Sequence, residues 1–484
     1  MELEEIISQR KEKLLSLKEK GIGKQLPIPA GQIEIKEALD KFQEDKEVSL
    51  CGRIMAKRSH GKAVFLDLKD ATARIQLYIK ADIIGEDKFK LLEYLDIADF
   101  ISVRGKLFTT HTKEPTLKVE ELSILNKALR PLPEKWHGLK DIELRYRQRY
   151  LDLVANEEVK KVFLTRSRII KAVRNFLDNY GFLEVETPMM HPIAGGAAGR
   201  PFKTHHNEYG LDLYLRIAPE LYLKRLLVGG FDKVYELNRS FRNEGVSTRH
   251  NPEFSMLEIY SAYANYETMM QLCQELIISV AKEILGDTKF TYQNKEVDLT
   301  LPWQKRSFAD LVKKEFGIEP QDEPEVMLKK LKDKGRPVEK KKLSRSQIAK
   351  IIEEILTQEM SVKPTFITDY FTALCPLAKT KEENPLLSER FELFIAGIEV
   401  ANAYSELNDP LEQARRFKEE IKDSGEDEKK QFDQDYVLAL EHGMPPAGGL
   451  GIGIDRLVML FTNQASIRDV ILFPLLRPHS ETVK

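Results

Sequence analysis

The sequence predicts an α+β protein in two parts, a small N-terminal β-barrel followed by a larger domain built on an antiparallel β-sheet flanked by helices. Three observations lead there. The 484 residues exceed one ordinary domain. Residues 47–126 are dense in short β runs. Beyond them strands and helices alternate without a βαβ rhythm, which argues against a parallel Rossmann-type sheet.

The first element is an amphipathic helix over residues 1–20, with Leu3, Ile6, Ile7, Leu14, Leu15 and Leu17 set among charges. It is expected to stop at Gly21-Ile22-Gly23, before Pro27 and Pro29. Its acidic and basic residues balance, so it reads as packed on its own domain rather than as an RNA-binding arm. The β runs are Val48–Met55, Ala63–Leu68, Ala73–Ile79, Phe100–Leu107 and Leu117–Leu125, with a helical stretch over Lys88–Leu95. Five strands with a helix after the third is the order of an OB-fold barrel. Such barrels bind oligonucleotides through aromatic and basic side chains. Arg53, Lys57, Arg58, Phe65 and Gln76 suit that face, and Phe65 suits a core position equally well. The Pro-punctuated Ala128–Pro133 ends this part, giving domains at 1–135 and 136–484. In the second, a basic helical stretch begins near Leu144 and a long helix covers Val162–Tyr180. Residues 317–345, rich in Lys329, Lys330, Lys340, Lys341 and Lys342, read as a solvated insertion.

Composition narrows the class. The net charge of −2 attracts no RNA by itself, so nucleic-acid binding must rest on local patches. No apolar run approaches ~20 residues, so no membrane span is expected. The start Met-Glu-Leu-Glu-Glu lacks a secretory signal, which favours the cytoplasm. Cys51, Cys273 and Cys375 form no CxxC and read as buried thiols.

Two segments carry chemistry. A β run reaches Arg242-Asn243-Glu244-Gly245, a polar loop passes Arg249-His250-Asn251-Pro252, and a second strand begins at Glu253-Phe254. On that strand Phe254, Met256, Glu258 and Tyr260 share one face. Arginine's planar fork suits phosphate, and an aromatic face suits a purine. Farther on, Glu392 and Glu399 flank a turn at Ala396-Gly397, and two carboxylates beside a triphosphate suit Mg²⁺. Asn402, Tyr404 and Glu406 recur at period two. Strict alternation would set Glu399 on the opposite face from Asn402, so a shared site requires a bulge or strong twist. Gly448-Gly449-Leu450-Gly451-Ile452-Gly453 then runs into Ile454-Asp455-Arg456. The glycine spacing does not fit GxGxxG. The glycines are expected to let the strand approach a nucleotide closely and to bring Arg456 to a helix start.

Together these segments resemble the three ordered motifs of class II aminoacyl-tRNA synthetases, and most closely the bacterial-type lysyl-tRNA synthetase family. The resemblance covers nearly the whole chain. Arg145–Leu153, Ile217–Leu221, Phe241–Gly245, His250–Phe254 and Asn402–Pro410 stand as that family has them. Tyr180–Pro188 resembles motif 1, which implies a homodimer with Pro188 near the interface. The implied fold is an N-terminal OB-fold anticodon-binding barrel and a class II catalytic domain. Enzymes that lysylate elongation factor P share the second part but lack the barrel.

The resemblance implies residue roles. Arg242 and Arg456 would be catalytic. ATP would meet Arg242, Asn243, Glu244, His250, Asn251, Phe254, Glu399, Gly453 and Arg456, with Phe254 and Arg456 enclosing adenine. Mg²⁺ would sit on Glu392 and Glu399. Lysine would meet Gly196 and Glu220 at its α-amino end, Arg242 and Asn402 at its carboxylate, and Glu258, Tyr260, Tyr404 and Glu406 elsewhere. Arg53, Phe65 and Gln76 would read the anticodon of tRNA(Lys). The family's Lys-Thr-Gly/Asn-Glu turn is replaced by Lys113-Glu114-Pro115-Thr116, so Glu114 is given no such role. The implied reaction joins L-lysine to ATP, releases pyrophosphate, and passes lysine to the 3′ end of tRNA(Lys).

Overall fold

The computed structural model describes residues 2–21, 31–133, 139–197, 199–338, 343–357, 361–423 and 431–477. Ile22, Gly23, Pro27 and Pro29, the expected boundary at 135, and Lys340, Lys341 and Lys342 lie outside the described residues. The chain forms two compact units, 1–140 and 141–484.

In the first unit, helix α1 (Leu3–Glu19) opens with a capping box between Glu2 and Glu5, which satisfies backbone donors of its first turn. Five strands follow: β1 (Glu47–His60), β2 (Ala63–Lys69), β3 (Arg74–Lys80), β4 (Phe100–Thr109) and β5 (Pro115–Asn126). They close as a barrel in the order β1-β2-β3-β5-β4. The long β1 makes closure possible. Its first half pairs with β4, its second half with β2, and a bulge between Ile54 and Ala56 turns it between them. Alternate residues fill the interior, among them Leu50, Ile54, Leu66, Leu77, Val103 and Leu117. Each contributes about 1.5–3 kcal/mol by leaving water. The helix expected over Lys88–Leu95 is a short turn of helix at Glu86–Lys90 continued by a 3₁₀ turn at Leu91–Tyr94.

The second unit is organised by an eight-stranded sheet. In chain order its strands are β6 (Leu183–Glu184), β7 (Lys233–Phe241), β8 (Glu253–Ala262), β9 (Gln304–Ser307), β10 (Thr365–Thr368), β11 (Arg390–Ile395), β12 (Ile398–Ser405) and β13 (Ala447–Gly453). Across the sheet they run β9-β10-β11-β12-β13-β8-β7-β6. The centre is antiparallel as expected, but the edge pairs β7–β6 and β9–β10 are parallel, so the sheet is mixed. Helices α2 (Glu157–Asn179), α3 (Tyr266–Leu285) and α4 (Ile454–Phe461) cover one face. There Ile169, Val173, Cys273, Leu276, Leu257, Ile259, Leu393, Ala401, Leu450 and Leu457 form one core. Period-two alternation therefore turns Phe254, Met256, Glu258 and Tyr260 to the opposite face.

The solvated insertion expected over 317–345 is instead a packed element. Its helix Pro324–Asp333 buries Met327 and Leu331, and Ile318 joins them. They pack with Phe308, Ile348, Ile352, Tyr370 and Phe394. The apolar positions were hidden by the surrounding lysines. An amphipathic helix with one narrow buried stripe is rich in charge overall.

Candidate active site

The face opposite the helices carries a trough whose floor is β13. Antiparallel partners share a face, so registry reads out what lies beside what. Glu258 on β8 pairs with Gly451, which pairs with Asn402 on β12, which pairs with Glu392 on β11. One step along, Tyr260 pairs with Gly449, Gly449 with Tyr404, and Tyr404 with Arg390. Every second residue of the floor is a glycine, so the side chains of β8 and β12 reach over it from both sides. The close approach expected at these glycines is real, but its occupants are the protein's own side chains. A Cβ on Gly451 would come within 2.6 Å of Met256 Cε, and one on Gly449 within 2.7 Å of Tyr260 Cε1.

At one end lies the loop between β7 and β8. Arg242 donates its backbone N–H to Pro252 O at 2.8 Å, and its guanidinium is 5.2 Å from the centre of the Phe254 ring. Its buried Nε has no hydrogen-bond partner among the described residues, as befits a group held ready for an anion. Asn251 donates to Glu253 O at 2.6 Å, leaving its buried Oδ1 without a partner. His250 sits on Ser247 Oγ at 3.0 Å, while Asn243 and Glu244 are exposed. Arg456, at the start of α4 just after Gly453, donates to Glu399 O at 2.8 Å and pairs with Glu399 Oε2 at 3.0 Å.

The bulge that a shared Glu399–Asn402 site required is present. Leu393 pairs with Ala401 but Phe394 pairs with Glu399, so Val400 is the extra residue. Glu399 thereby shares the trough face with Glu392. Glu392 is buried, accepts from Tyr370 Oη at 2.8 Å, and pairs with Arg390 at 2.5 Å. Burial nevertheless pushes its carboxyl up to about 8, with Glu353 and Glu399 adding to the rise against Arg390. Burial also acts on Glu399, but Arg456 outweighs it and holds that carboxylate below the usual range. Glu353 belongs to the helix Arg345–Thr357, which follows the 317–345 segment, and pairs with Arg390 at 3.7 Å. The donor set fits a hard divalent cation. Mg²⁺ suits such a pair, since it binds through one or two carboxylates and takes its other ligands from water or phosphate oxygens.

At the other end three buried carboxylates converge. Glu220 opens the helix Glu220–Val228 on this face and accepts from Tyr404 Oη at 2.6 Å. Gly196 lies against it, since a Cβ there would be 3.4 Å from Glu220 Cβ. Glu258 accepts from Tyr260 Oη at 3.0 Å, and burial, then Glu220, raise its carboxyl to about 8. Glu406 follows β12 and is 0% exposed. Its Oε1 has no hydrogen-bond partner among the described residues. Among the described residues Lys224 is their one ammonium, 2.6 Å from Glu220 Oε1 and ion-paired with Glu406 Oε2. Arg216 is taken by Glu236 at 2.6 Å. With all groups ionised, three carboxylates against Lys224 leave a surplus of two negative charges.

The sequence matches two family profiles. Residues 48–125 fit the OB-fold nucleic acid binding domain, and residues 141–477 fit the class II tRNA synthetases (D, K and N). The lysine–tRNA ligase of Moorella thermoacetica is 54% identical over 484 residues, covering 99% of each chain. The chain belongs to the lysine–tRNA ligase family of class II tRNA synthetases. The lysine–tRNA ligases of Carboxydothermus hydrogenoformans and Pelotomaculum thermopropionicum are each 53% identical, over 99% of this chain and 99% and 96% of theirs. Within the D, K and N group, the lysine–tRNA ligase family is the branch whose amino acid is a cation, in keeping with the carboxylate cluster.

The trough thus brings together Arg242, Phe254, Glu258, Tyr260, Glu392, Glu399, Asn402, Tyr404, Glu406 and Arg456, all named from sequence. Lys224 was missed. The signal was present: a lysine directly after the apolar run Leu221-Tyr222-Leu223, one helical turn after Glu220.

The barrel's outer face is settled separately. Phe65 points away from the core, its ring 5.2 Å from Tyr78 and 6.1 Å from His60, and Tyr78 continues to Phe108 at 5.9 Å. Its reading as a core residue is therefore set aside. Gln76 is bonded at both ends, to Arg58 at 3.0 Å and Thr116 at 3.1 Å. Arg53 lies apart, 4.3 Å from the Phe100 ring centre, and Lys57 is occupied by the carbonyls of Leu92 and Leu95.

Proposed function

We propose that this chain activates L-lysine with ATP, forming lysyl-adenylate and pyrophosphate, and then passes lysine to the 3′ end of tRNA(Lys). One observation carries the choice of amino acid. With its three carboxylates ionised the pocket is two positive charges short, and lysine brings two ammonium groups. A cation is buried at low cost only beside acceptors of opposite charge. Glu220 takes the α-ammonium, next to Gly196. Glu258 and Glu406 take the ε-ammonium, with Tyr260 adding an oxygen. Arg242 and Asn402 hold the substrate carboxylate. An aspartate side chain would meet repulsion from the same groups, which discriminates strongly.

The substrate carboxylate is already a nucleophile, so attack on the α-phosphorus needs no general base. Arg242 stabilises the charge that grows on the phosphoryl oxygens. His250 and Asn251 grip the triphosphate, beside Asn243 and Glu244, and Phe254 and Arg456 enclose the adenine above Gly453. Glu392 and Glu399 would hold Mg²⁺, which when bound neutralises phosphate charge.

For tRNA, the aromatic row around Phe65, with Gln76 and Arg58 beside it, suits stacked anticodon bases, and Arg53 extends the basic side. A homodimer accords with the exposed apolar residues Leu183, Met189 and Met190 flanking Pro188. Among the described residues no helix is long and apolar enough to cross a membrane. With a role in translation, we assign the chain to the cytoplasm. The test is charging: with ATP, Mg²⁺ and labelled lysine, a tRNA(Lys) transcript should gain label at its 3′ end. Label on the tRNA for aspartate instead would contradict the reading.

A further inference from the structure

The buried lysine of the pocket has no part in the roles above. Lys224 is 0% exposed and lies on the helix Glu220–Val228, between Glu220 and Glu406. Its ammonium also faces the Tyr404 ring at 5.4 Å and the buried Tyr436 phenol. Glu258 and Tyr260 face the same cluster from β8. An ammonium and a carboxylate removed from water are stable only while each keeps the other. Here one ammonium serves two carboxylates, and both of those face the space where a second ammonium belongs.

We propose that Lys224 is a specificity-determining residue of the amino-acid pocket, a fixed internal counter-ion shared by Glu220 and Glu406 that limits the pocket's unmet charge to that of one lysine molecule. The inference rests on the reading that lysine is the substrate. Lys224 acts through the two carboxylates and touches no reacting atom, so it is a positioning residue. Without it, three carboxylates crowd one dry site, and like charges at such distances are relieved by taking up protons. A protonated carboxyl is a poor acceptor for a substrate ammonium. The loss should therefore fall on lysine and depend on pH.

The experiment is lysine-dependent ATP–pyrophosphate exchange by the full chain and by Lys224→Met, with KM measured for lysine and for ATP from pH 6 to 9. The expected result is a lysine KM raised at least tenfold at pH 7, an ATP KM changed less than twofold, and the ascending limb of kcat/KM for lysine moved about one pH unit higher. Lys224→Arg, which keeps the charge, should return that limb toward the parent position. Equal rises in both KM values, or a limb that does not move in Lys224→Met, would overturn the proposal. If Lys224→Met no longer binds ATP, Lys224→Gln carries the same comparison. Failure of the substrate reading is distinct: the unmodified chain would then exchange with another amino acid, or with none.

Discussion

Gly449 leaves empty the space that the Glu406 carboxylate fills. A Cβ on Gly449 would overlap Glu406 Oε1, with Tyr260 Cε1 2.7 Å away. The residue without a side chain thus positions two of the proposed substrate contacts. Gly449→Ala forces one of them aside. Strain of that kind in a packed site costs roughly 1–3 kcal/mol. The lysine KM should rise at least tenfold while the ATP KM stays within about twofold. Steady-state exchange kinetics check this, and a selective rise in the ATP KM would count against the assignment.

Glu406→Gln keeps the shape but removes the charge. The ε-ammonium then loses a buried partner, and Lys224 loses one of its two. A site that pairs a charged group discriminates by large factors, so the lysine KM should rise about 100-fold or more. The residues proposed for adenine and phosphate, Arg242, Phe254 and Arg456, lie at the other end of the trough, so ATP binding should hardly change. Parallel titrations with lysine and ATP decide it: equal losses would mean Glu406 is not the ammonium partner.

Burial holds the Glu258 carboxyl near 8, against about 4.3 in an unfolded chain. The sign follows. The raised value means the neutral form suits the ligand-free fold. Its contribution to stability is full below about pH 4 and is lost as pH rises through about 8. Lysine binding favours the ionised form, so it should release a proton at pH 7, and lysine affinity should climb between pH 6 and 8. Calorimetry of lysine binding in buffers of different ionisation enthalpy measures that proton. No release at pH 7 would show that Glu258 is ionised before the substrate arrives.

Local patterns made most of the site legible in sequence. Period two on Glu258–Tyr260 and on Asn402–Glu406 identified the two strand faces, because alternation is a property of neighbouring residues. Even the need for a bulge near Glu399 followed from parity alone. Pairing was not legible. Nothing near Gly449 in sequence says that Glu406 and Tyr260 fill its missing side chain, because those contacts join β13 to strands distant in the chain. Lys224 escaped for the same reason: its second partner, Glu406, lies 182 residues later (406 − 224). The packed insertion escaped because Met327 and Leu331 are isolated among lysines.

On the barrel, Phe65 stands on the outer surface beside Tyr78 and His60 rather than in the core. Phe65→Ala should therefore leave barrel stability and lysine-dependent exchange close to the parent. It should lower kcat/KM for tRNA(Lys) by roughly 5–100-fold, the loss of one stacked base at ~1–3 kcal/mol. Charging and exchange measured on the same preparation separate the two. A matched fall in both would return Phe65 to a structural role.

The central claim is that three buried carboxylates, which with Lys224 carry a surplus of two negative charges once all are ionised, select lysine. Amino-acid-dependent ATP–pyrophosphate exchange, screened over all twenty amino acids with the unmodified chain, tests it most directly. The account predicts exchange with lysine and little with any other, including arginine, whose planar guanidinium does not match a pocket shaped for an ammonium. Exchange with aspartate or asparagine at rates matching or exceeding lysine would contradict it.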